Sequence, residues 1–223
     1  LRGKYRNAGV NIDQIEDVDF VWHGEPLPET IGRRGCYDWI IASHVIEHTP
    51  DLVGFLVDCQ TLLHEAGRLV LVVPDKRYCF DHFQSLTSTG DVLDAHHLGR
   101  IHPSPGRVFD HFANAVGKGR DRAISWHRHA PGALQLFHSM EDARDAWRGA
   151  QTDDGYVDVH NWRFTPESFR LVIDDLRDLG LLELGITDGP TAAAGEFCAC
   201  LRRCRNQRGD RIASLAAIEN TQH

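Results

Sequence analysis

Short apolar runs alternate with amphipathic stretches along this chain. The runs at 18–22 (VDFVW), 37–43 (YDWIIAS) and 68–74 (RLVLVVP) are rich in residues that favour strands, and each is followed by a turn signal or a polar segment. Trp39 to Ala42 is continuously apolar, which is typical of a strand covered on both faces in a parallel sheet. The pattern therefore predicts three strands.

A helix is predicted between the second and third of these strands. Thr49-Pro50-Asp51 offers an N-cap candidate with a proline suited to the first turn, and Gly67 marks the predicted end. Strand, helix and strand in close succession form a βαβ unit, which predicts a right-handed crossover and a parallel sheet. The apolar residues of this helix recur at spacings of three and four, namely Leu52, Phe55, Leu56, Cys59, Leu62 and Leu63.

The C-terminal part repeats the alternation of helix and strand. A helix is predicted from Thr165-Pro166-Glu167 to Gly180, followed by strands at 181–187 and 196–202. The remaining residues, 203–223, are polar and predict a fraying helix or a tail.

Residues 75–160 have a different pattern, rich in histidine, glycine and aromatic residues. They contain only weak helical patterns, at 91–98, 107–116 and 139–150. Eleven of the fourteen histidines lie between positions 44 and 138. A long insertion that follows the C-terminal end of a strand commonly carries the specificity of an α/β protein.

Composition and charge narrow the class of partner. The chain has 223 residues, 42% of them hydrophobic, which is enough for one sizeable core. Its net charge is −8 and it has no block of Lys or Arg, so we expect no nucleic-acid partner. No apolar run reaches the length of a membrane span, so we expect no membrane partner. The substrate is therefore predicted to be a small molecule or a glycan. The sequence does not indicate an oligomeric state.

The six cysteines are scattered through segments with core-like patterns. This usage predicts reduced thiols and a cytoplasmic protein. Cys198, Cys200 and Cys204 lack the paired CxxC spacing of a metal site, and strand alternation predicts that Cys198 and Cys200 share a buried face. No metal ligand is assigned from this pattern.

Polar side chains follow the two predicted strands of the βαβ unit. Because the carboxyl ends of parallel strands form the ligand crevice of an open α/β sheet, we expect both polar groups to face one crevice. The plainer alternative is that His44 and Glu47 cap the next helix or bind loop backbone. The two groups are Ser43, His44, Glu47 and His48 after the first strand, and Asp75, Lys76, Arg77 and Tyr78 after the second.

The run YDWIIASHVIEHTPDLVGFLVDCQTLLHEAGRLVLVVPD resembles the middle of class I S-adenosylmethionine-dependent methyltransferases. That family has a fourth strand beginning with an aromatic-Asp pair, a loop with Glu-His, a helix ending in Leu-Leu and Gly, and a fifth strand ending in Pro. Glu65-Ala66 departs from the usual Pro-Gly. The matching positions are Tyr37-Asp38, Glu47-His48, Leu62-Leu63, Gly67 and Val73-Pro74.

The resemblance implies an incomplete Rossmann-like α/β fold with a mostly parallel sheet and helices on both faces. The insertion would follow the fifth family strand, and the last two strands would be the family's antiparallel pair. Residues 1–203 would form one truncated domain with its insertion at 75–160, followed by a polar tail at 204–223. With 18–22 as the third strand, the Gly-rich cofactor loop has no counterpart upstream, so the chain is expected to be the C-terminal portion of such an enzyme. The strand at 37–43 should then expose an unpaired edge.

The resemblance also implies methyl transfer from S-adenosylmethionine to an acceptor oxygen. A general base near pH 7 suits this reaction, and His48 is the candidate, with Glu47 to orient it. The candidates for binding the cofactor are His23, Gly24, Ser43 and His44. The candidates for binding the acceptor are Asp75, Lys76, Arg77, Tyr78, His96 and His160.

Three alternatives stay open at this point. Some family members use a divalent metal held by Glu-x-x-Glu-His and later ligands, whereas this chain has His44-x-x-Glu47-His48 with His160 as the later candidate. A second alternative is a non-catalytic remnant or interaction module of the same fold. The third is a metal-dependent hydrolase that uses the histidine-rich insertion.

Overall fold

The computed structural model describes residues 17–152, 155–204 and 210–221. Within them the chain is an α/β protein built on a mixed four-stranded sheet, with a separate two-stranded hairpin. The elements in chain order are α1 (Leu27–Ile31), β1 (Tyr37–Ser43), α2 (Leu52–Leu62), β2 (Leu63–Pro74), α3 (Thr89–His97), α4 (Pro105–Asn114), β3 (Val116–Lys118), β4 (Leu134–Leu136), α5 (Met140–Thr152), α6 (Pro166–Asp178), β5 (Leu184–Ala193), β6 (Glu196–Arg203) and α7 (Arg211–Thr221).

The main sheet has the strand order β1-β2-β6-β5. β1 pairs with β2 in parallel, as the βαβ pattern predicts. β6 pairs antiparallel with both of its neighbours, β2 and β5. The expectation of a mostly parallel sheet is therefore wrong for the described residues. The reason is that β6 turns back directly after β5 and inserts between β5 and β2.

One face of this sheet carries the hydrophobic core. Alternate residues of β1, β2 and β6 point into it and pack against α2, α3 and α6. The opposite face stays largely open in the described part of the chain, where Trp39 is 54% and Ile41 71% exposed. The expectations of helices on both faces and of a fully covered first strand are therefore wrong here. The buried face is formed by Ala42, Leu69, Leu71, Val73, Phe197, Ala199 and Leu201.

The strand predicted at 18–22 does not form. Its apolar side chains are exposed, and the Trp22 indole N–H donates locally to the carbonyl of Glu25. A short apolar segment without a neighbouring strand has no ladder to stabilise it. β1 is consequently an edge strand of the described sheet, which agrees with the expected unpaired edge.

Both ends of α2 differ from the sequence prediction. The N-cap is Asp51, whose Oδ1 accepts from the Gly54 N–H at 2.9 Å, whereas the hydroxyl of Thr49 donates back to the Ile46 carbonyl. α2 ends at Leu62, and Gly67 lies inside β2. A Cβ at Gly67 would sit 2.8 Å from the Tyr37 carbonyl oxygen, so glycine permits close approach of the two strands here.

The insertion contributes α3, α4, α5 and the β3–β4 hairpin. Val92 and Ala95 of α3 join the main core, so this segment is anchored to the scaffold.

β6 buries Phe197, Ala199 and Leu201, which leaves Cys198 exposed on the other face. The prediction that Cys198 lies on a buried face is therefore wrong. No helix among the described residues combines the length and apolar character needed to cross a membrane.

Candidate metal centre

The C-terminal ends of β1 and β2 lie at one edge of the sheet. The parallel register pairs Ser43 with Val72, so the residues that follow both strands emerge together. The segment 161–164 then crosses the C-terminal ends of both strands. The Asn161 N–H donates to the Glu47 carbonyl at 2.6 Å, and the Lys76 N–H donates to the Phe164 carbonyl at 2.9 Å. Both polar groups therefore begin at one edge of the sheet, but Lys76, Arg77 and Tyr78 line a groove to which Glu47 and His48 do not belong, so one shared crevice is not shown.

The chain turns sharply directly after β1. His44 has a left-handed backbone with φ 52°, and its N–H still donates to the Val72 carbonyl at 2.9 Å. A single 3₁₀ turn, Ile46–His48, follows. Successive side chains of such a turn diverge by about 120°. Ile46 enters the core, Glu47 is fully buried and His48 remains partly exposed.

Three side chains with metal-binding atoms converge at this turn. Glu47, His48 and His160 each offer one donor atom, and these atoms all lie within 4.8 Å of one another. The imidazole rings of His48 and His160 meet edge to face with centroids 4.7 Å apart. Tetrahedral Zn²⁺ at about 2.1 Å from its ligands sets the donors roughly 3.4 Å apart, so a cation would draw these atoms together by no more than about 1.4 Å.

Glu47 is the most unusual member of this group. Its side chain is 0% exposed, and neither carboxylate oxygen accepts a hydrogen bond from the described residues. Burial raises the pKa of the carboxyl above its ordinary value of 4.5, an effect that outweighs the lowering by its own backbone N–H and by the nearby histidines. A buried carboxylate without donors is unfavourable unless a proton or a cation neutralises it.

His160 is held by a second buried carboxylate. Its Nδ1 lies 2.5 Å from Oδ2 of Asp81, and both side chains are buried. The other oxygen of Asp81 accepts from the amide of Gln84 at 2.6 Å. An ionised carboxylate can only accept, so it fixes the proton on Nδ1 and leaves the Nε2 lone pair available. Metal-binding histidines are commonly oriented in this way.

His48 is positioned by the segment that precedes His160. Its Nδ1 lies 2.8 Å from Oδ1 of Asp158. Its backbone carbonyl accepts from the Tyr156 hydroxyl at 2.9 Å and from the Asn161 amide at 3.0 Å. Asp158 therefore lies beside His48, where the sequence prediction had placed Glu47, because the 3₁₀ turn directs the Glu47 side chain inward.

Four of the predicted acceptor-binding residues form a structural unit beside the centre. Asp75 is buried and accepts from the Arg77 guanidinium through both oxygens, with one nitrogen–oxygen distance of 2.5 Å. This hydrogen bonding raises the pKa of Arg77. The Lys76 ammonium donates to the His82 carbonyl, and Lys76, Arg77 and Tyr78 line a separate groove.

His96, the fifth predicted acceptor residue, does not join the centre. Its Nδ1 lies 2.8 Å from Oδ2 of Asp51, the N-cap of α2. Only His160 of the six predicted acceptor residues belongs to the three-residue group of metal donors. The sequence could not place His96, because α3 packs against the start of α2 rather than against the strand ends.

The four predicted cofactor residues divide between two places. Ser43 and His44 lie at the strand end, where Nδ1 of His44 is 3.4 Å from Oε1 of Glu47 and Nε2 is 2.8 Å from Oε2 of Glu196. His23 and Gly24 belong to the exposed stretch before α1, where Gly24 lies against the side chain of Ile101. No hydrogen bond between described residues joins His23 or Gly24 to Ser43 or His44.

The sequence prediction missed two acids that lie beside the histidines of the centre. Asp81 contacts His160, and Asp158 contacts His48. Arg163, which the sequence prediction also missed, is 1% exposed and lies 3.8 Å from Asp81 (Nε to Oδ1). The only local sign that Asp81 could belong to a site is the histidine that follows it in CFDHF. Its partner, His160, is 79 residues away along the chain.

Comparison of the chain with protein-family models, with curated proteins and with solved structures finds no match.

Proposed function

We propose that this chain binds one divalent cation through Glu47, His48 and His160 and uses it in methyl transfer from S-adenosylmethionine to a hydroxyl of a small molecule or glycan. The observation that carries the proposal is the buried Glu47 carboxylate, which has no hydrogen-bond donor and lies beside two histidines. A third histidine, His44, has its Nδ1 3.4 Å from Oε1 of Glu47, but this contact does not satisfy the carboxylate with a hydrogen bond.

The donor set indicates which cation would bind. One carboxylate and two imidazoles suit Zn²⁺, Mn²⁺ or Fe²⁺ better than Mg²⁺ or Ca²⁺, which prefer oxygen ligands throughout. A divalent cation in this position would lower the pKa of a hydroxyl group that it holds. With three protein ligands, coordination positions remain for an acceptor.

The residues of the chain would then act as follows. His160 is kept in one tautomer by Asp81, and His48 lies beside Asp158, so both rings are held near the positions from which a cation would bind them. S-adenosylmethionine would supply an electrophilic methyl group, and alignment of the acceptor with that methyl accounts for much of the rate gain in such displacements. Ser43 and His44 lie at the same strand end, and they are the candidates among the described residues to contact S-adenosylmethionine.

Methyl transfer is supported by the resemblance of residues 37–75 to class I methyltransferases. The pairing of β1 with β2 and the position of Glu47-His48 after β1 agree with that resemblance. The antiparallel pairing of β5 with β6 after a C-terminal helix also agrees with it. Two features depart from it: His44 stands where the metal-dependent members have the first Glu of Glu-x-x-Glu-His, and the segment at 18–22 does not form the expected third strand.

Binding of S-adenosylhomocysteine, the product of methyl transfer, tests this part of the proposal. Calorimetry would be run on the 223-residue chain and on the chain with any residues that its gene encodes before Leu1. Saturable binding to either protein supports methyl transfer. Binding to neither contradicts it and favours the non-catalytic module, whereas the metal centre is tested separately by metal titration.

A metal-dependent hydrolase is the second candidate. Two histidines and one glutamate are a ligand set found in zinc hydrolases. The contact of Asp81 with His160, one of these histidines, also favours this candidate. Zinc-loaded protein would be assayed with p-nitrophenyl acetate and p-nitrophenyl phosphate. Turnover that Glu47→Gln abolishes would support a hydrolase, and absence of turnover with bound zinc would contradict it for these ester classes.

A further inference from the structure

Arg163 is a charged side chain in the interior of the protein. It is 1% exposed, and its neighbours in the chain, Trp162 and Phe164, belong to the hydrophobic core. Its N–H donates to the Thr87 hydroxyl at 2.9 Å, and its carbonyl accepts from the Thr87 N–H at 3.0 Å, so the backbone of this residue is fixed. A buried guanidinium loses the stabilisation that water gives its charge, so this position requires a nearby acid.

Asp81 is the acid that lies beside this guanidinium. Nε of Arg163 is 3.8 Å from Oδ1 of Asp81, both side chains are 1% exposed, and no other acid of the described residues forms an ion pair with Arg163. Burial lowers the pKa of the guanidinium, and among the nearby acids Asp81 opposes this effect most strongly, ahead of Asp110 and Asp91. Nε and Nη2 have no hydrogen-bond partner among the described residues, so Arg163 acts on Asp81 through its charge.

The other contacts of Asp81 bring no positive charge when His160 binds a metal. Oδ2 lies 2.5 Å from Nδ1 of His160, Oδ1 accepts from the Gln84 amide, and the Cys79 thiol lies 3.8 Å from Oδ2. The amide and the thiol are neutral, and a metal-binding imidazole is neutral as well. A buried carboxylate is far more stable beside a positive charge than among neutral groups alone. Arg163 is therefore the group that supplies this charge to Asp81.

We propose that Arg163 is a positioning residue of the metal centre, a role that rests on the proposed metal binding. Its charge keeps Asp81 an acceptor, and Asp81 in turn keeps the proton of His160 on Nδ1 and the Nε2 lone pair free for a cation. Arg163 is not one of the three residues whose donor atoms converge, so a direct effect of its positive charge would repel a cation. Action through Asp81 therefore predicts that removal of the charge weakens metal binding, whereas direct repulsion predicts tighter binding.

The tautomer of His160 in metal-free protein tests the role of Arg163 whether or not a metal binds. Long-range proton–nitrogen NMR correlation spectra show which ring nitrogen carries a proton, and His160→Gln assigns the signals. At about pH 8, where an ordinary imidazole is neutral, we expect the proton on Nδ1 in the wild type and in Arg163→Lys, which keeps the charge. Arg163→Met keeps a long flexible side chain without charge, so we expect a proton on Nε2. A folded Arg163→Met protein with the wild-type tautomer, or a wild type with the proton on Nε2, would overturn the proposal.

Titration with Mn²⁺ or Zn²⁺ measures the consequence for the centre. We expect Arg163→Met to weaken metal binding about tenfold or more, and Arg163→Lys to stay within about threefold of the wild type. Arg148→Met, at an exposed arginine of α5, is the matched control and should bind the metal as the wild type does. Unchanged or tighter binding by Arg163→Met would overturn the proposal. No binding by the wild type would contradict the metal centre itself, whereas the tautomer spectra would still show whether Arg163 controls His160.

A double variant keeps the test decisive if Arg163→Met does not fold. Asp81→Asn combined with Arg163→Met removes both charges, so it leaves neither of them unpaired in the interior. Because Arg163 acts through Asp81, the double variant should bind the metal as tightly as Asp81→Asn alone, to within about threefold. A further loss of about tenfold would overturn the proposal. Circular dichroism and denaturant unfolding establish that each variant folds.

Discussion

Oδ2 of Asp81 lies 2.5 Å from Nδ1 of the His160 imidazole. Both side chains are buried, and the second oxygen of Asp81 is occupied by Gln84. The contact fixes one tautomer of His160 and turns its remaining nitrogen into an acceptor. His160 is thus held in place by Asp81, and its metal-binding nitrogen lies within 4.8 Å of the donor atom of the buried Glu47.

Replacing Asp81 with asparagine should therefore weaken metal binding without removing a ligand. An asparagine amide can donate to Nδ1, which would place the proton on Nε2 and block that lone pair. We expect the affinity for Mn²⁺ or Zn²⁺ to fall about 10–100-fold in Asp81→Asn. Calorimetric titration measures this change, and Asp94→Asn, an exposed acid of α3, is the control. Unchanged affinity in a folded Asp81→Asn variant would show that the pair does not serve a metal.

The raised pKa of Glu47 predicts a specific pH dependence of stability. In metal-free protein the folded state holds this proton more tightly than the unfolded chain, in which the pKa is near 4.5. The folded state is then favoured below pH 4.5, and this contribution is lost as pH rises through the raised pKa. Denaturant unfolding across pH 4–8 should show that the stability of the wild type relative to Glu47→Gln falls with rising pH. A difference that is constant with pH would contradict the burial effect.

Trp162 ties the segment before α6 to the turn after β1. It is 3% exposed, and its indole N–H donates to the Thr49 carbonyl at 2.6 Å. Trp162→Phe leaves that carbonyl without its donor and opens space in the core, so we expect a loss of about 2–4 kcal/mol. Guanidinium unfolding measures the loss. Trp147→Phe, at a 41% exposed position, should change stability by less than about 0.5 kcal/mol.

The open face and edge of β1 predict self-association. Trp39 and Ile41 are exposed on a strand that has no neighbour on its outer side in the described sheet. Such an edge favours pairing between chains, and a charge on it opposes pairing. Ile41→Lys should lower the associated fraction in sedimentation velocity, whereas Ile212→Lys, on exposed α7, should leave it unchanged. Equal association of the two variants would rule out β1 as the contact.

Local patterns predicted the parts of the fold that depend on local sequence. The βαβ unit of β1, α2 and β2 follows from the apolar runs, although α2 ends and β2 begins earlier than the sequence predicts. The strand at 18–22 failed because its pattern required a neighbour that the described chain does not provide. The position of β6 between β2 and β5 depends on long-range pairing, which periodicity does not encode.

The centre was predictable only in part for the same reason. Glu47 and His48 stood out because they follow a strand directly. The 3₁₀ turn that buries Glu47 and exposes His48 has no clear sequence signal, so the predicted roles of the two residues could not be separated. His160 and Asp81 reach the site from positions 79 residues apart, and only tertiary packing brings them together.

Metal titration decides whether Glu47, His48 and His160 bind a divalent cation. Chain stripped with EDTA would be titrated with Mn²⁺ and with Zn²⁺, alongside Glu47→Gln and His160→Gln as ligand variants and His129→Gln as an exposed control. We expect one cation to bind per chain of the wild type and of the control, and the affinity to be reduced at least about tenfold in both ligand variants. No saturable binding to the wild type, or equal affinity in Glu47→Gln, would contradict it.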